Sequence, residues 1–137
     1  MATDVRKPDD AYLSFWRERH ICTLTTPRPD GSPHVTPVGV TYDPEAGLAR
    51  IICNKNSRKV ANVLAALAAD PAGARVAVCQ LAGKRWATLE GRAVVRTEPE
   101  LIADAVERYT ERYQRTPAPN PDRVLIEIRL TRAMGNA

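Results

Sequence analysis

Apolar positions along the chain recur with two different spacings, and the changes between them mark the elements. Tyr12, Leu13, Phe15 and Trp16 follow Asp9-Asp10, which predicts a short amphipathic helix over about residues 9–19 with an acidic cap. Ile21 to Thr26 is a β-rich run closed by Pro27, Pro29 to Ser32 reads as a turn, and His34 to Tyr42 reads as the returning strand. A second turn, Asp43 to Gly47, leads into Leu48–Cys53. A helix then opens at Ser57, with Val60, Val63, Leu64 and Leu67 on one stripe, and Asp70-Pro71-Ala72-Gly73 stops it. Ala74–Gln80 and Arg85–Arg96 are the fourth and fifth strands, joined by a turn at residues 81–84, with Gly91 as a bulge or bend.

Thr97-Glu98-Pro99-Glu100 reads as a capping box with proline in the first turn of a third helix. Its buried face would be Ile102, Ala105, Val106, Tyr109 and Tyr113. The proline-rich stretch Thr116 to Pro121 is an extended connector. Beyond it Val124, Ile126, Ile128 and Leu130 alternate with Leu125, Glu127, Arg129 and Thr131 as a half-buried strand. The sum is a mainly β (α+β) domain of six antiparallel strands and three helices. Curling such a sheet into a small barrel would remove its edges. A dinucleotide-binding α/β fold is disfavoured, because there is no GxGxxG and no regular strand–helix alternation.

At 137 residues the chain fits one domain, spanning 1–137. No apolar run reaches the ~18 residues of a membrane span, and the first ten residues are too polar for a signal peptide. These features predict a cytoplasmic protein with no membrane partner. Cys22, Cys53 and Cys79 are odd in number and lie in apolar runs without a CxxC pair, and His20 and His34 supply no ligand spacing. Reduced core thiols, rather than a metal site, are expected. The net charge of +4 points weakly to an anionic partner. Nucleic acid is not expected: the arginines are scattered, and a chain with one Phe, two Trp and four Tyr lacks a stacking platform.

The segment Asn54-Lys55-Asn56-Ser57-Arg58-Lys59 carries the strongest chemical signal. A strand ends, a polar loop follows, and a helix opens with two cations in its first turn. Cations at the positive end of a helix dipole are unfavourable alone. An anion would compensate them, since free N–H groups, the Ser57 hydroxyl, Arg58 and Lys59 would converge on it as a phosphate requires. A solvated basic turn is the competing reading, and the spacing leaves both open. Trp86 could wall a planar ligand or close the barrel as core, whereas Trp16 belongs to its helix's core stripe. His34 at a strand start could act as acid or base, but is more often inert there. No catalytic triad or carboxylate pair can be assembled, so chemistry would fall to a cofactor, with the protein positioning it.

The segments DGSPHVTPVGVTYD, NKNSRKVAN and RWATLEG, in this order, resemble the split β-barrel superfamily of pyridoxamine-phosphate-oxidase-like proteins. ERHICTLTT and RYTERYQRTPAPNPDRVLIEI resemble its F420-dependent group, with the F420H2-dependent biliverdin reductases nearest. The resemblance spans about Leu13 to Met134 and implies a homodimer with cofactor sites at the subunit interface. It places Ser57, Arg58 and Lys59 at the phosphate, with Asn62 one turn on and Lys55 among the cations holding the anionic tail. Val35, Thr36, Pro37 and Val38 match the strand along the ring system. Ile52, Cys53 and Asn54 match the strand end beneath the ribityl-like chain. Trp86 matches an aromatic reaching the site from the other subunit. The implied cofactor is the deazaflavin F420, with FMN as the alternative. The implied reaction is hydride delivery to a planar conjugated molecule such as the tetrapyrrole biliverdin. A non-catalytic F420 or tetrapyrrole carrier is the rival outside enzymes. Beside true pyridoxamine-phosphate oxidases the C-terminus is short of the segment that builds a pyridoxal pocket, so activity on that substrate is not expected.

Overall fold

The computed structural model describes residues 2–137. The chain runs β1 (Ala2–Thr3), α1 (Asp10–Arg17), β2 (Cys22–Pro27), β3 (Pro33–Val38), β4 (Thr41–Asp43), β5 (Leu48–Asn54), α2 (Arg58–Ala69), β6 (Ala74–Ala82), β7 (Arg85–Arg96), α3 (Pro99–Tyr113) and β8 (Arg123–Gly135). All strand pairings are antiparallel. The order across the sheet is β3-β2-β6-β7-β8-β5-β4, with β1 paired to β8 off this path. The edge strands β3 and β4 are consecutive in the chain, separated only by Gly39 and Val40. Two residues cannot span an open seven-stranded sheet, so the sheet must curl until its edges nearly meet.

They do not pair. The expected barrel of six strands is therefore seven strands along the sheet plus the two-residue β1, and its edges remain. The difference arises where one returning strand was expected over 34–42. That run divides at Gly39-Val40, because α3 supplies partners that a neighbouring strand would otherwise give. The Val40 N–H donates to Tyr113 Oη at 3.1 Å, and the Val40 carbonyl accepts from Arg112 Nη1 at 2.5 Å. Gly39 permits the approach, since a Cβ there would lie 2.7 Å from Tyr109 Cε2.

The core lies inside the curl. Leu24, Ile51, Val78, Leu89, Ile126 and Ile128 face inward from alternating positions of five strands, and α1 plugs one end with Tyr12, Phe15 and Trp16, each at most 2% exposed. Asp9 caps α1 through its side chain, which accepts from the Tyr12 N–H. Trp16 is core, as expected. On α2, Val60 and Val63 are buried, but Leu64 is half exposed and Asn62 takes the buried place. The third helix is capped by Glu98 with no side-chain cap bond, so the capping box expected at Thr97 does not form, although Pro99 does open the first turn. Leu125, expected to face outward, is fully buried, with Ala105, outside the main core cluster; α3 covers that outer face of β8 and β5. Gly91 is the bend foreseen: the β7–β8 register shifts between Glu90 and Gly91, and a Cβ at Gly91 would stand 2.2 Å from the Arg129 carbonyl oxygen.

Candidate functional site: the cleft at the sheet's split

The β4–β5 register pairs Thr41 with Arg50 and Tyr42 with Ala49. Continued backward, it would set Val38 opposite Cys53 and Pro37 opposite Asn54. Instead β3 leaves to pair with β2, matching Val38 to Cys22 and Pro37 to Thr23. A cleft of about 350 Å³ opens where the two strands diverge. Pro37, Val38 and Gly39 form one bank, and Ile52, Cys53 and Asn54 the other. Along its free edge β5 has no strand partner past Arg50, so alternate backbone groups there are open to a ligand.

The floor is the N-terminus of α2. Ser57 is the N-cap, yet its side chain makes no cap bond, and Ser57 Oγ is buried without a hydrogen-bond partner. A buried hydroxyl left in this way is costly unless something fills its valence. The first helical N–H groups, Arg58 to Val60, lie in the same turn with no intrahelical acceptor. Lys59 lines the cleft beside them, and Arg123 enters from β8, where it pairs with Asn54. Among the described residues neither cation has a carboxylate partner, and no Asp or Glu lines the cleft. Arg123 gives one bond to the Ala118 carbonyl at 2.7 Å. The site therefore holds net positive charge, an unmet hydroxyl and free amides at one end, which fits a phosphate and explains the cations in the first turn of α2.

The loop before α2 is held from within the chain. Asn54 Oδ1 accepts from the Asn56 N–H at 2.8 Å, and the Lys55 N–H donates to the Asp122 carbonyl at 2.8 Å. Lys55 Nζ is paired with Asp122 at 3.3 Å. On the β5 bank, burial pushes the Cys53 thiol up to about 11, against the pull of the Lys59 ammonium and the nearby Ser57 hydroxyl, so it stays protonated near neutrality.

Of the positions singled out by sequence, the cleft gathers Pro37, Val38, Ile52, Cys53, Asn54, Ser57 and Lys59. Val35 is exposed on the outer face of β3, and Thr36 is half-buried on the inner. Arg58 is exposed at the helix start, and Lys55 is spent on Asp122. Asn62 faces inward, 1% exposed, and donates to Thr26 Oγ1 at 3.1 Å, which ties α2 to β2. Trp86 is the second residue of β7, ten residues from Arg96, the β7 residue nearest the cleft end of β8; its N–H donates to Asn136 Oδ1 at 2.8 Å. Within one chain it does not reach the cleft. His34 also lies outside the lining, opposite Thr26. Sequence reasoning missed Gly39, Tyr109, Pro117, Asn120 and Arg123. No local pattern marks them, because the register of β8 and the path of the connector bring them in.

The model of the family described as pyridoxamine 5'-phosphate oxidase matches residues 8–135, nearly the whole chain. The chain belongs to this family. A curated relative, the F420H(2)-dependent biliverdin reductase of Mycobacterium tuberculosis, is 47% identical over 135 residues, covering 98% of this chain and 92% of that protein. Among solved structures, an F420 reductase matches with a TM-score of 0.69 at 24% identity, covering 93% of this chain and 98% of its own. A conserved hypothetical protein of Mycobacterium tuberculosis matches with a TM-score of 0.72 at 24% identity, covering 97% and 86%. At that identity the two structures establish the fold. Among the described residues no helix is long and apolar enough to cross a membrane.

Proposed function

We propose that this family member is an F420-dependent reductase acting on a planar conjugated substrate, with biliverdin as the first candidate. The observation that carries the reading is the acid-free cleft around the unmet Ser57 hydroxyl, in a chain 47% identical to a protein named for F420H2 and biliverdin. When bound, the deazaflavin would supply a hydride. Ser57, the first amides of α2 and Lys59 would hold its phosphate. Arg123 would add charge for its anionic tail. Pro37, Val38 and the free edge of β5 would fix the ring plane, and burial against Ile52 would keep water from one face. The reading includes a homodimer in which Trp86 comes from the partner subunit. The exposed apolar side chain of Val35, two residues from cleft-lining Pro37, is surface that a second copy could cover.

The test is a fluorescence titration of the purified protein with F420 and, in parallel, FMN, followed by turnover of biliverdin with reduced F420. Tight F420 binding, weak FMN binding and conversion of biliverdin are expected. Preference for FMN would replace the cofactor while keeping the phosphate site. F420 binding without turnover of any conjugated acceptor would leave a carrier. Light scattering should give twice the monomer mass.

A further inference from the structure

The cleft has a wall that neither the motifs nor the phosphate site account for. Tyr109, in the last turns of α3, lines it at the Gly39 end, away from the chain's own barrel core. Its ring is fixed from two sides. Gly39 lies so close that a Cβ there would come within 2.7 Å of Tyr109 Cε2 and 3.3 Å of Cδ2. Behind it stands Tyr113, with ring centroids 4.8 Å apart and planes inclined by 37°. Tyr113 cannot yield, because its hydroxyl donates to the His20 carbonyl at 2.9 Å while accepting from the Val40 N–H at 3.1 Å. Tyr109 itself makes no hydrogen bond among the described residues. It is a flat, half-buried aromatic surface whose position is imposed by neighbours, and, among the described residues, the one aromatic in a lining otherwise made of prolines, aliphatics, small polar residues and cations.

We infer that Tyr109 is a specificity-determining residue: its ring stacks on a flat conjugated ring system in the cleft and selects for such ligands. Offset aromatic stacking favours planar heterocycles over saturated molecules of equal size, and a ring that is already immobilised loses little entropy on binding. The inference rests on the reading of the cleft as a deazaflavin reductase site. The stacked ring has two possible sources, the cofactor and the substrate. Gly39 is part of the device, since any larger residue would drive the Tyr109 ring out of place.

The experiment compares wild type with Tyr109→Phe, Tyr109→Leu, Gly39→Ala and the Tyr109→Leu/Gly39→Ala double variant. Each is titrated with F420 alone and then, loaded with F420, with biliverdin; thermal midpoints are recorded alongside. Tyr109→Phe should keep both affinities within about twofold, whereas Tyr109→Leu should lose about tenfold for one ligand, on the scale of a stacking contact. Loss on F420 assigns the ring to the cofactor, and loss on biliverdin alone assigns it to the substrate, where KM should rise with kcat little changed. Gly39→Ala should weaken the same ligand, and should add nothing in the Tyr109→Leu background. Should Tyr109→Leu fail to fold, Gly39→Ala must still weaken binding with the ring retained. Unchanged affinities in Tyr109→Leu, or equal losses in Tyr109→Phe and Tyr109→Leu, would overturn the inference while leaving the reductase reading intact. A wild type that binds neither F420, FMN nor biliverdin would remove both.

Discussion

Ser57 shows how one atom can be read for function. An N-cap serine normally returns about 0.5–2 kcal/mol through its hydroxyl, but here that hydroxyl caps nothing and is buried without a partner. Ser57→Ala should therefore leave the unfolding midpoint of the free protein unchanged or slightly raised, while weakening F420 binding. Lys59→Ala should cost about 1.5–3 kcal/mol of binding, the worth of a charge-assisted contact. Isothermal titration and thermal unfolding on the same preparations check both. A drop in stability for Ser57→Ala with undiminished affinity would make the hydroxyl structural. This residue was legible in the sequence because the cap position, the cations after it and the preceding strand end are all local. Arg123 was not, since only its pairing with Asn54 across two strands puts a second cation in the cleft.

At the scale of elements, α3 is what keeps the split open. Arg112 is buried and, among the described residues, meets no carboxylate; its guanidinium instead donates to the Glu18 carbonyl, the Val40 carbonyl and the side chain of Gln80, and lies 4.9 Å from the centre of the Tyr113 ring. It thus ties α3 to the end of α1, to β6 and to the break between β3 and β4. Arg112→Met should destabilise by at least about 2 kcal/mol, because the buried Glu18 and Val40 carbonyls and the Gln80 amide oxygen would lose their charged donor. Arg112→Lys should recover little, since an ammonium cannot reproduce the planar fork. Urea unfolding measures both, and a near-neutral Arg112→Lys would refute the clamp. Periodicity placed α3 correctly but could not show that its polar residue at 112 points inward. Likewise, the stripe on α2 overstated Leu64 and passed over Asn62, because burial there depends on Thr26 of β2 lying beneath.

Across the molecule, an ion pair helps close the end plugged by α1. Glu18 accepts from Arg85 Nη1 at 2.7 Å and Nη2 at 2.9 Å, linking the end of α1 to the start of β7, and lies 2.9 Å from His20 Nε2. These donors hold the Glu18 carboxyl down at about 2 from its ordinary 4.5. A carboxyl depressed on folding stabilises fully above its unfolded pKa and ceases to do so as pH falls through its folded one. Stability should therefore decline between about pH 4.5 and pH 2, and Glu18→Gln should flatten that part of the profile in acid-unfolding scans. An identical profile for the variant would mean that the exposed pair is fully screened.

The sequence by itself determined the elements and their kind, because alternation, helical spacing, turn residues and caps act over a few residues. It also placed the strand end, the cap serine and the two cations at the start of α2, for the same reason. Tertiary structure alone decided that the strand over 34–42 breaks at Gly39-Val40, that the sheet curls without closing, and that a cleft opens at the divergence. Those outcomes depend on which backbone groups α3 satisfies from seventy residues away, and on register between strands distant in the chain. No window of sequence contains both partners of such contacts. Tyr109, Asn120 and Arg123 enter the cleft by the same long-range route, while Trp86, locally as suggestive as any of them, is carried to the other end of its strand.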